Sequence, residues 1–485
     1  MPYSKRPARR NRPNSAQSAH DLLQLDNFQN GRMLAWFAIQ QFDATGKFLS
    51  DILSDADRQH DLPSQERGLA VDLSSGVIRR RRTLDTLIES QITRPRTNVE
   101  PELWTLLQLG TYQLAFAKTP DHAAVDTIVE LAKTVGQHRW CGFANGILRS
   151  ISRLLTEDTV NQPAIDAIPV SEGIHRKLTA TALPDPTTEL VEYVGRAFSL
   201  PRAIARRWAG RMSQYDLMKA CFHSNEVPVT VLRVNRLKAT VGQVVSAFEE
   251  KDVEVTPGQN DWALRLQSGA KLTSLPGFHE GWWSVQDESA MRASELLAPK
   301  PGERILDLCA APGGKSAHLA ELSDDKATII ACDVAEGRLD RVTENADRLQ
   351  LASIEPTLIE RDSTNIPEGP YDAVLIDVPC SNTGVFARRP EARWRFKEND
   401  LEELVHLQTR LLLTAYDLIR PGGRIVYSTC SVEPEETTML IESVTSEVQS
   451  LVCDSQSLQL PGSPTDGAFQ ALLTKNPWGR AIKKA

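Results

Sequence analysis

The second half of the chain alternates between strand-like and helix-like text, and this alternation restricts the fold more than any other feature. ERILDL (303–308) reads as a strand and KSAHLAEL as a helix; ATIIACD (327–333) is the next strand and EGRLDRVTENADRLQ the next helix. PTLIER and YDAVLID (371–377) follow as two more strands. DLEELVHLQTRLLLTAYDLI (400–419) puts Leu404, Leu407, Leu411, Ala415 and Leu418 on one helical stripe; PGG stops it, and RIVYST (424–429) is a strand. Parallel strands need long crossovers, so strands that alternate with helices predict a parallel, doubly wound sheet. Ligands of such sheets bind outside the carboxyl ends of the strands.

The first of those ends carries DLCAAPGGKS (307–316). Its small residues let backbone approach a ligand, and the pair Gly313-Gly314 permits positive φ. The helix behind it offers free N–H groups and a positive end. The loop is neither a G-x-G-x-x-G turn nor a Walker A. Asp333 closes the second strand, twenty-six residues after Asp307, where an acid takes ribose hydroxyls. Asp362 follows the third strand, where an adenine amino group could be held. These residues describe an adenosine without a pyrophosphate, and S-adenosylmethionine fits best.

Two cysteines lie just past two other strand ends, in Asp377-Val378-Pro379-Cys380 and Ser428-Thr429-Cys430-Ser431. Many methyltransferases of exocyclic amines carry an Asn/Asp-Pro-Pro-aromatic turn at the first position; here cysteine replaces the aromatic. Carbon 5 of a pyrimidine is a poor nucleophile, but adding a thiolate to C6 makes C5 an enamine, which accepts a methyl group. That chemistry needs a nucleophilic cysteine, a base, and a group that bonds N3 as charge develops. Two cysteines and an acid facing one pocket supply these. Cys309 and Cys332 also read as small hydrophobes.

At 485 residues the chain is expected to form two or three domains. It has no apolar run long enough for a membrane span and no secretory apolar core, so a cytoplasmic protein is expected. Its seven cysteines are odd in number and scattered, without CxxC or zinc-like Cys/His spacing, which predicts reduced thiols and no metal. The net charge of −8 argues against a simple nucleic-acid coat. Yet four basic knots stand out: Lys5 to Arg12, Arg79 to Arg82, Arg202 to Arg207 and Arg388 to Arg395. Each alone fits a solvated face; together they point to a polyanion. Residues 1–20, Arg-rich and acid-free, also fit a transit peptide, but three prolines oppose an amphipathic helix, and a disordered RNA-touching tail is preferred. A helical bundle is expected over 21–155, where Leu103, Leu106, Leu107 and Leu114 share a stripe that passes through Gly110, and a later helix stops at Gly136. The polar, proline-bearing text of 156–189 reads as a linker. Residues 190–290 read as helices followed by a small α+β module around PVTVLRVN, and 291–485 as the cofactor domain.

TCSVEPEE, DVPCSNTG and DLCAAPGGK resemble the signature blocks of the Sun (Fmu) family of RNA cytosine-5 methyltransferases. The resemblance runs from about 190 to the end: GFHEGWWSVQDESA is similar to the family's lead-in to the first strand, and PVTVLRVN to its RNA-binding subdomain. It implies Cys430 as nucleophile, Cys380 assisting product release, and Asp377 beside them. It implies cofactor contacts at Cys309, Ala310, Ala311, Pro312, Gly313, Gly314, Lys315, Asp333, Asp362 and Asp377, with Lys315 reaching either the methionine end or Asp377. RGLAVDLSSGVIRRRRTLD, LQLGTYQLAFAKTPDHAAVDTIVELAKTVG and GFANGILRSI resemble an RNA-binding domain of the NusB type. This fusion is typical of the RsmB branch, whose members methylate cytosine 967 of 16S rRNA. The chain departs from the family pattern at Ala468, where an aromatic is usual, and in its longer basic tail.

The implied protein is multidomain: an all-α NusB-like bundle, a small α+β RNA-binding module and a Rossmann-like class I methyltransferase domain. It would act as a monomer on 16S rRNA, naked or in an early small-subunit particle. The alternatives are the same chemistry on tRNA, or a non-catalytic assembly factor, against which intact Cys380, Cys430 and CAAPGGK argue. A base in a duplex cannot reach a thiolate, so the target must lie in a loop or flip out. Arg388, Arg389, Arg393 and Arg395 follow the Cys380 loop and suit phosphates, with Trp394 for stacking or as part of a lid.

Overall fold

A computed structural model describes residue 28 and residues 30–59, 62–117, 119–267, 271–361, 365–462 and 464–476. The basic tail expected over 1–20 lies outside them. The chain divides into two units, Met1–Leu200 and Pro201–Ala485.

The first unit begins with six helices: α1 (Gly31–Thr45), α2 (Leu49–Gln59), α3 (Ser64–Glu89), α4 (Pro101–Ala115), α5 (Asp121–Thr134) and α6 (Cys141–Leu154). Pro101 starts α4, where a missing N–H costs nothing. All four leucines of the expected stripe are buried. A Cβ on Gly110 would meet the Leu148 side chain at 2.6 Å, so the glycine allows α6 to close on α4. Gly136 has φ +73°, a conformation suited to glycine beyond a helix end. The Arg79 to Arg82 knot turns inward: Arg80 donates to Pro169 O (2.7 Å), Arg81 pairs with Asp43 (2.7 Å) and Arg82 donates to Leu200 O (2.9 Å). Its charge therefore serves this unit's own packing.

The expected linker over 156–189 is corrected across most of its length. Strands β1 (Leu155–Val160), β2 (Ala167–Ser171) and β3 (Ile174–Leu178) form an antiparallel sheet in the order β1-β3-β2. Few of its side chains are buried, chiefly Ala167, Ile168, His175 and Leu178, so the text carries little hydrophobic alternation. Helix α7 (Leu190–Ala197) also belongs here, because Thr83 Oγ1 donates to Arg196 O (2.8 Å) and Ala197 O (2.9 Å). The second unit begins at 201, eleven residues beyond the expected 190.

The second unit opens with α8 (Arg202–Ala209) and α9 (Gln214–Ser224). Then come β4 (Thr230–Val234), α10 (Val241–Glu249), β5 (Val255–Pro257), β6 (Ala263–Leu266) and β7 (Trp283–Val285). The strands pair antiparallel in the order β5-β6-β4-β7, the expected α+β module, with Trp283 wholly buried. Helix α11 (Glu288–Leu297) leads into the large sheet. Its parts are β8 (Arg304–Asp307), α12 (Gly314–Leu322), β9 (Thr328–Asp333), α13 (Glu336–Leu349), β10 (Ile354–Leu358), β11 (Tyr371–Asp377), α14 (Ala392–Arg395), α15 (Asp400–Leu418), β12 (Ile419–Thr429), α16 (Thr438–Glu447), β13 (Leu451–Gln459) and β14 (Ala468–Lys475).

The sheet order is β10-β9-β8-β11-β12-β14-β13, parallel from β10 to β12, with β14 antiparallel to both neighbours. Val374, Leu375 and Ile376 in its centre have no exposure, as expected of a strand covered on both faces. Strand order reverses between β8 and β11, which opens a crevice there. Asp307, Asp377 and Thr429 end β8, β11 and β12 beside it.

Candidate functional site

The cofactor loop leaves β8 and is pinned by backbone bonds from Leu308 N to Leu375 O (3.0 Å) and from Ala310 N to Cys332 O (2.8 Å). Gly313 has φ +96°, and a Cβ there would sit 3.1 Å from the Val342 backbone, so glycine lets α13 pack against the turn. Asp307 is fully buried beneath the loop. Ser316 Oγ donates to its Oδ2 at 2.7 Å, and Oδ1 has no hydrogen-bond partner. Burial pushes its pKa up to about 7, against the pull of the Ser316 bond.

Asp333 receives Ala311 N (3.3 Å) and Ala335 N (3.2 Å), and Arg338 lies 3.3 Å away. Asp377, about a third exposed, accepts from Lys315 Nζ at 2.6 Å, so Lys315 takes the Asp377 side of the choice left open by the sequence. Burial works against the Lys315 ammonium, but the charge and hydrogen bond of Asp377 outweigh it and raise its pKa. Asp362 lies outside the described residues.

An unpartnered buried carboxylate oxygen, a glycine-built turn, a helix start and acids on three strand ends suit a ligand with ribose hydroxyls and positive charge. Cys309 belongs to the loop, where burial and the charges of Asp307 and Asp377 push its thiol well up.

Strands β11 and β12 pair in parallel with Asp377 opposite Ser428, which brings the following loops side by side. Cys380 Sγ and Cys430 Sγ come within 3.2 Å. All seven cysteines are free thiols. The hydrogen bond between the pair pulls the Cys380 thiol down and pushes Cys430 up. Either sulfur can donate, so the shift belongs to the pair: its first proton leaves readily and its second with difficulty.

Asn382, at φ +60°, donates to Cys380 O (2.8 Å) and accepts from Cys430 Sγ (3.4 Å) and Arg389 Nη1 (3.0 Å). Gly384 N donates to Cys430 O (2.9 Å), and Gly467 N donates to Gly384 O (2.8 Å). The loops are thus tied to each other and to the turn before β14.

The four arginines expected to face RNA separate sharply. Arg389 and Arg395 are exposed, and Arg389 lies beside the thiol loops through its bond to Asn382. Arg393 is wholly buried, donating to Asn225 Oδ1 (3.1 Å), Ser224 O (2.5 Å) and Phe386 O (3.3 Å), which removes it from the set. Arg388 pairs with Asp287 (2.5 Å) and with Asp466, so it holds loops together instead. The Arg202 to Arg207 knot also turns to acids: Arg207 reaches Glu433 and Glu435, both at 2.6 Å, and Arg206 reaches Glu398 at 2.7 Å. Sequence reasoning missed Asn382, Gln408, Glu436 and Asp466. Gln408 left one signal, a polar side chain among the apolar positions of α15.

Residues 294–463 match the family described as 16S rRNA methyltransferase RsmB/F, and residues 29–153 match the NusB family. The ribosomal RNA small subunit methyltransferase B of Cronobacter sakazakii is 34% identical over 92% of this chain and 99% of its own length. The protein of the same name from Proteus mirabilis is 31% identical over the same shares. The crystal structure of PH0851 superimposes with a TM-score of 0.73 at 25% identity, covering 92% of this chain and 98% of that one. The fold therefore joins a NusB-family helical domain to a Rossmann-like methyltransferase domain whose methyl donor is S-adenosylmethionine, and the chain belongs to the RsmB/F family of 16S rRNA methyltransferases.

Proposed function

We propose that this methyltransferase modifies carbon 5 of one cytosine in 16S rRNA, at position 967, through a covalent adduct between Cys430 and C6. The observation that carries the reading is the pair of thiols 3.2 Å apart at the ends of adjacent strands, beside the cofactor loop. Cys430, as thiolate, attacks C6; the displaced electron pair moves toward C5 and N3, and Asp377, steadied by Lys315, supports the cytosine's polar edge. Residues 309–315, Asp333 and Asp377 would hold S-adenosylmethionine, which would supply the electrophilic methyl group. Cys380 then assists release: its sulfur, as thiolate, takes the C5 proton, the electron pair of that bond re-forms the C5–C6 double bond, and the C6–sulfur bond breaks with its pair returning to Cys430 as thiolate.

Arg389 and Arg395 take phosphates around a flipped or looped nucleotide, and the NusB-family domain adds RNA affinity. The protein works as a cytoplasmic monomer on naked rRNA or an early small-subunit particle.

The test uses Cys380→Ala with S-adenosylmethionine and a small-subunit rRNA fragment on a denaturing gel. A slow-moving protein–RNA band, absent when Cys430 is also replaced, is the expected result. No band, with wild type active on the same fragment, would refute the cysteine roles. A silent wild type would move the substrate to tRNA. Removing residues 1–20 is expected to weaken RNA binding mainly at low salt and to flatten its salt dependence; an unchanged slope excludes a phosphate-binding tail.

A further inference from the structure

Beneath the two thiols lies a carboxylate with no part in the steps above. Glu436 is wholly buried in the turn after Cys430. Its Oε1 accepts from Ser381 N (2.9 Å) and Gln408 Nε2 (2.9 Å); its Oε2 accepts from Ser381 Oγ and from Ser431 Oγ (2.5 Å). Four donors fill the acceptor sites of one carboxylate. Ser381 follows Cys380 and Ser431 follows Cys430, so a single side chain grips the residue next to each sulfur. Gln408 extends the grip: its Nε2 also donates to Pro379 O (2.9 Å), and its Oε1 accepts from Tyr427 Oη (3.1 Å).

A carboxylate out of water is costly, and proteins usually place a cation against it. Glu433, three residues earlier and equally buried, has Arg207 and Arg211 at 2.6 and 2.7 Å. Among the described residues, no lysine or arginine pairs with Glu436. Its donors are hydroxyls, an amide and a backbone N–H, so its negative charge stays uncompensated close to the thiols. That charge opposes a thiolate on Cys380, while Cys430 faces the charge of Asp377, which opposes a thiolate, and that of Arg389, which favours one.

We infer that Glu436 is a positioning residue for methyl transfer: it ties the two cysteine loops to each other and sets its unpaired charge against the turn that carries Cys380. The inference rests on the two-cysteine reading proposed above and adds which fixed group aligns the two sulfurs.

The test compares Glu436→Gln and Glu436→Ala in the full chain. Glutamine keeps the shape: its carbonyl can face Ser381 N and Gln408, while its amide faces hydroxyls that rotate to accept. It removes only the charge. The pH dependence of iodoacetamide labelling is read separately for Cys380 and Cys430 by peptide mass. In Glu436→Gln, the Cys380 profile is expected to move to lower pH and its labelling at neutral pH to rise several-fold, with cofactor affinity unchanged. In Glu436→Ala, methyl transfer is expected to fall by about 100-fold, the scale of a misplaced reacting group. If that variant does not fold, Glu436→Gln decides alone. Wild-type labelling profiles and turnover in Glu436→Gln would overturn the inference. Labelling needs no RNA, so a shifted profile alongside a missing Cys380→Ala adduct would sink the covalent reading and leave the electrostatic role of Glu436 standing.

Discussion

Replacing Cys430 with alanine removes the proposed attacking atom and nothing that supports the cofactor loop. Methyl transfer is expected to vanish while S-adenosylmethionine affinity, measured by calorimetry, stays at its wild-type value; wild-type turnover would end the assignment. Gly384 is a packing test of the same site. A Cβ there would meet Gly467 O at 2.5 Å and Cys430 O at 2.6 Å, both backbone atoms that cannot step aside. Gly384→Ala is expected to cost about 1–3 kcal/mol and to lower Tm, the range for overfilled interiors. Asp307 sets a pH dependence. Its folded pKa of about 7 lies above its unfolded value, so the proton it holds stabilises the fold fully below the unfolded value, and that contribution is lost as pH rises through 7. Asp307→Asn should flatten this part of a denaturation-midpoint curve between pH 5 and 8. The placing of Cys380, Cys430 and Asp377 at or just past the ends of adjacent strands was legible in the sequence, because apolar runs mark where those strands stop. Glu436 was not, because its partners Ser381 and Gln408 lie 55 and 28 residues away and are uncharged.

Helix α8 shows how an element misleads when read alone. PRAIARRW looks like a phosphate-binding knot, yet its cations complement acids that follow Cys430 and α14. Arg207→Ala leaves Glu433 buried with Arg211 as its remaining cation and is expected to cost roughly 1–3 kcal/mol by chemical denaturation, the penalty of an undersatisfied buried charge. Arg206→Ala should cost less than about 1 kcal/mol, because that pair is solvent-screened and its arginine is 66% exposed. Equal effects would contradict the division between buried and surface pairs. Helix α15 was legible in extent, 400–418 against an expected 400–419, because its stripe is long. Its burial centres on Leu401, Gln408, Leu411, Leu412 and Ala415, and Leu404, Leu407 and Leu418 are only half-buried. The β1–β3 sheet escaped detection because its strands expose most of their side chains, so polar text there signals solvent contact and not irregular backbone.

At the scale of the whole chain, the helical first part and the alternating text from 303 on were legible, but the junction at 200 was not. Thr83 and Arg82 take acceptors from 196–200, which no local pattern announces. A fragment ending at 189 is therefore expected to melt lower than one ending at 200; equal Tm values would show that α7 adds nothing to the first unit. In the second unit, β14 lies inside the sheet between β12 and β13, and the turn before it fastens the thiol loop through Gly467 and Asp466. This order has a consequence for synthesis. While the ribosome is still making residues 465–475, β12 has an unpaired edge and the Cys380 loop lacks its final anchor. A nascent or prematurely terminated chain thus carries the two sulfurs without the frame that aligns them, and the proposed catalytic pair is assembled only after translation has passed β14.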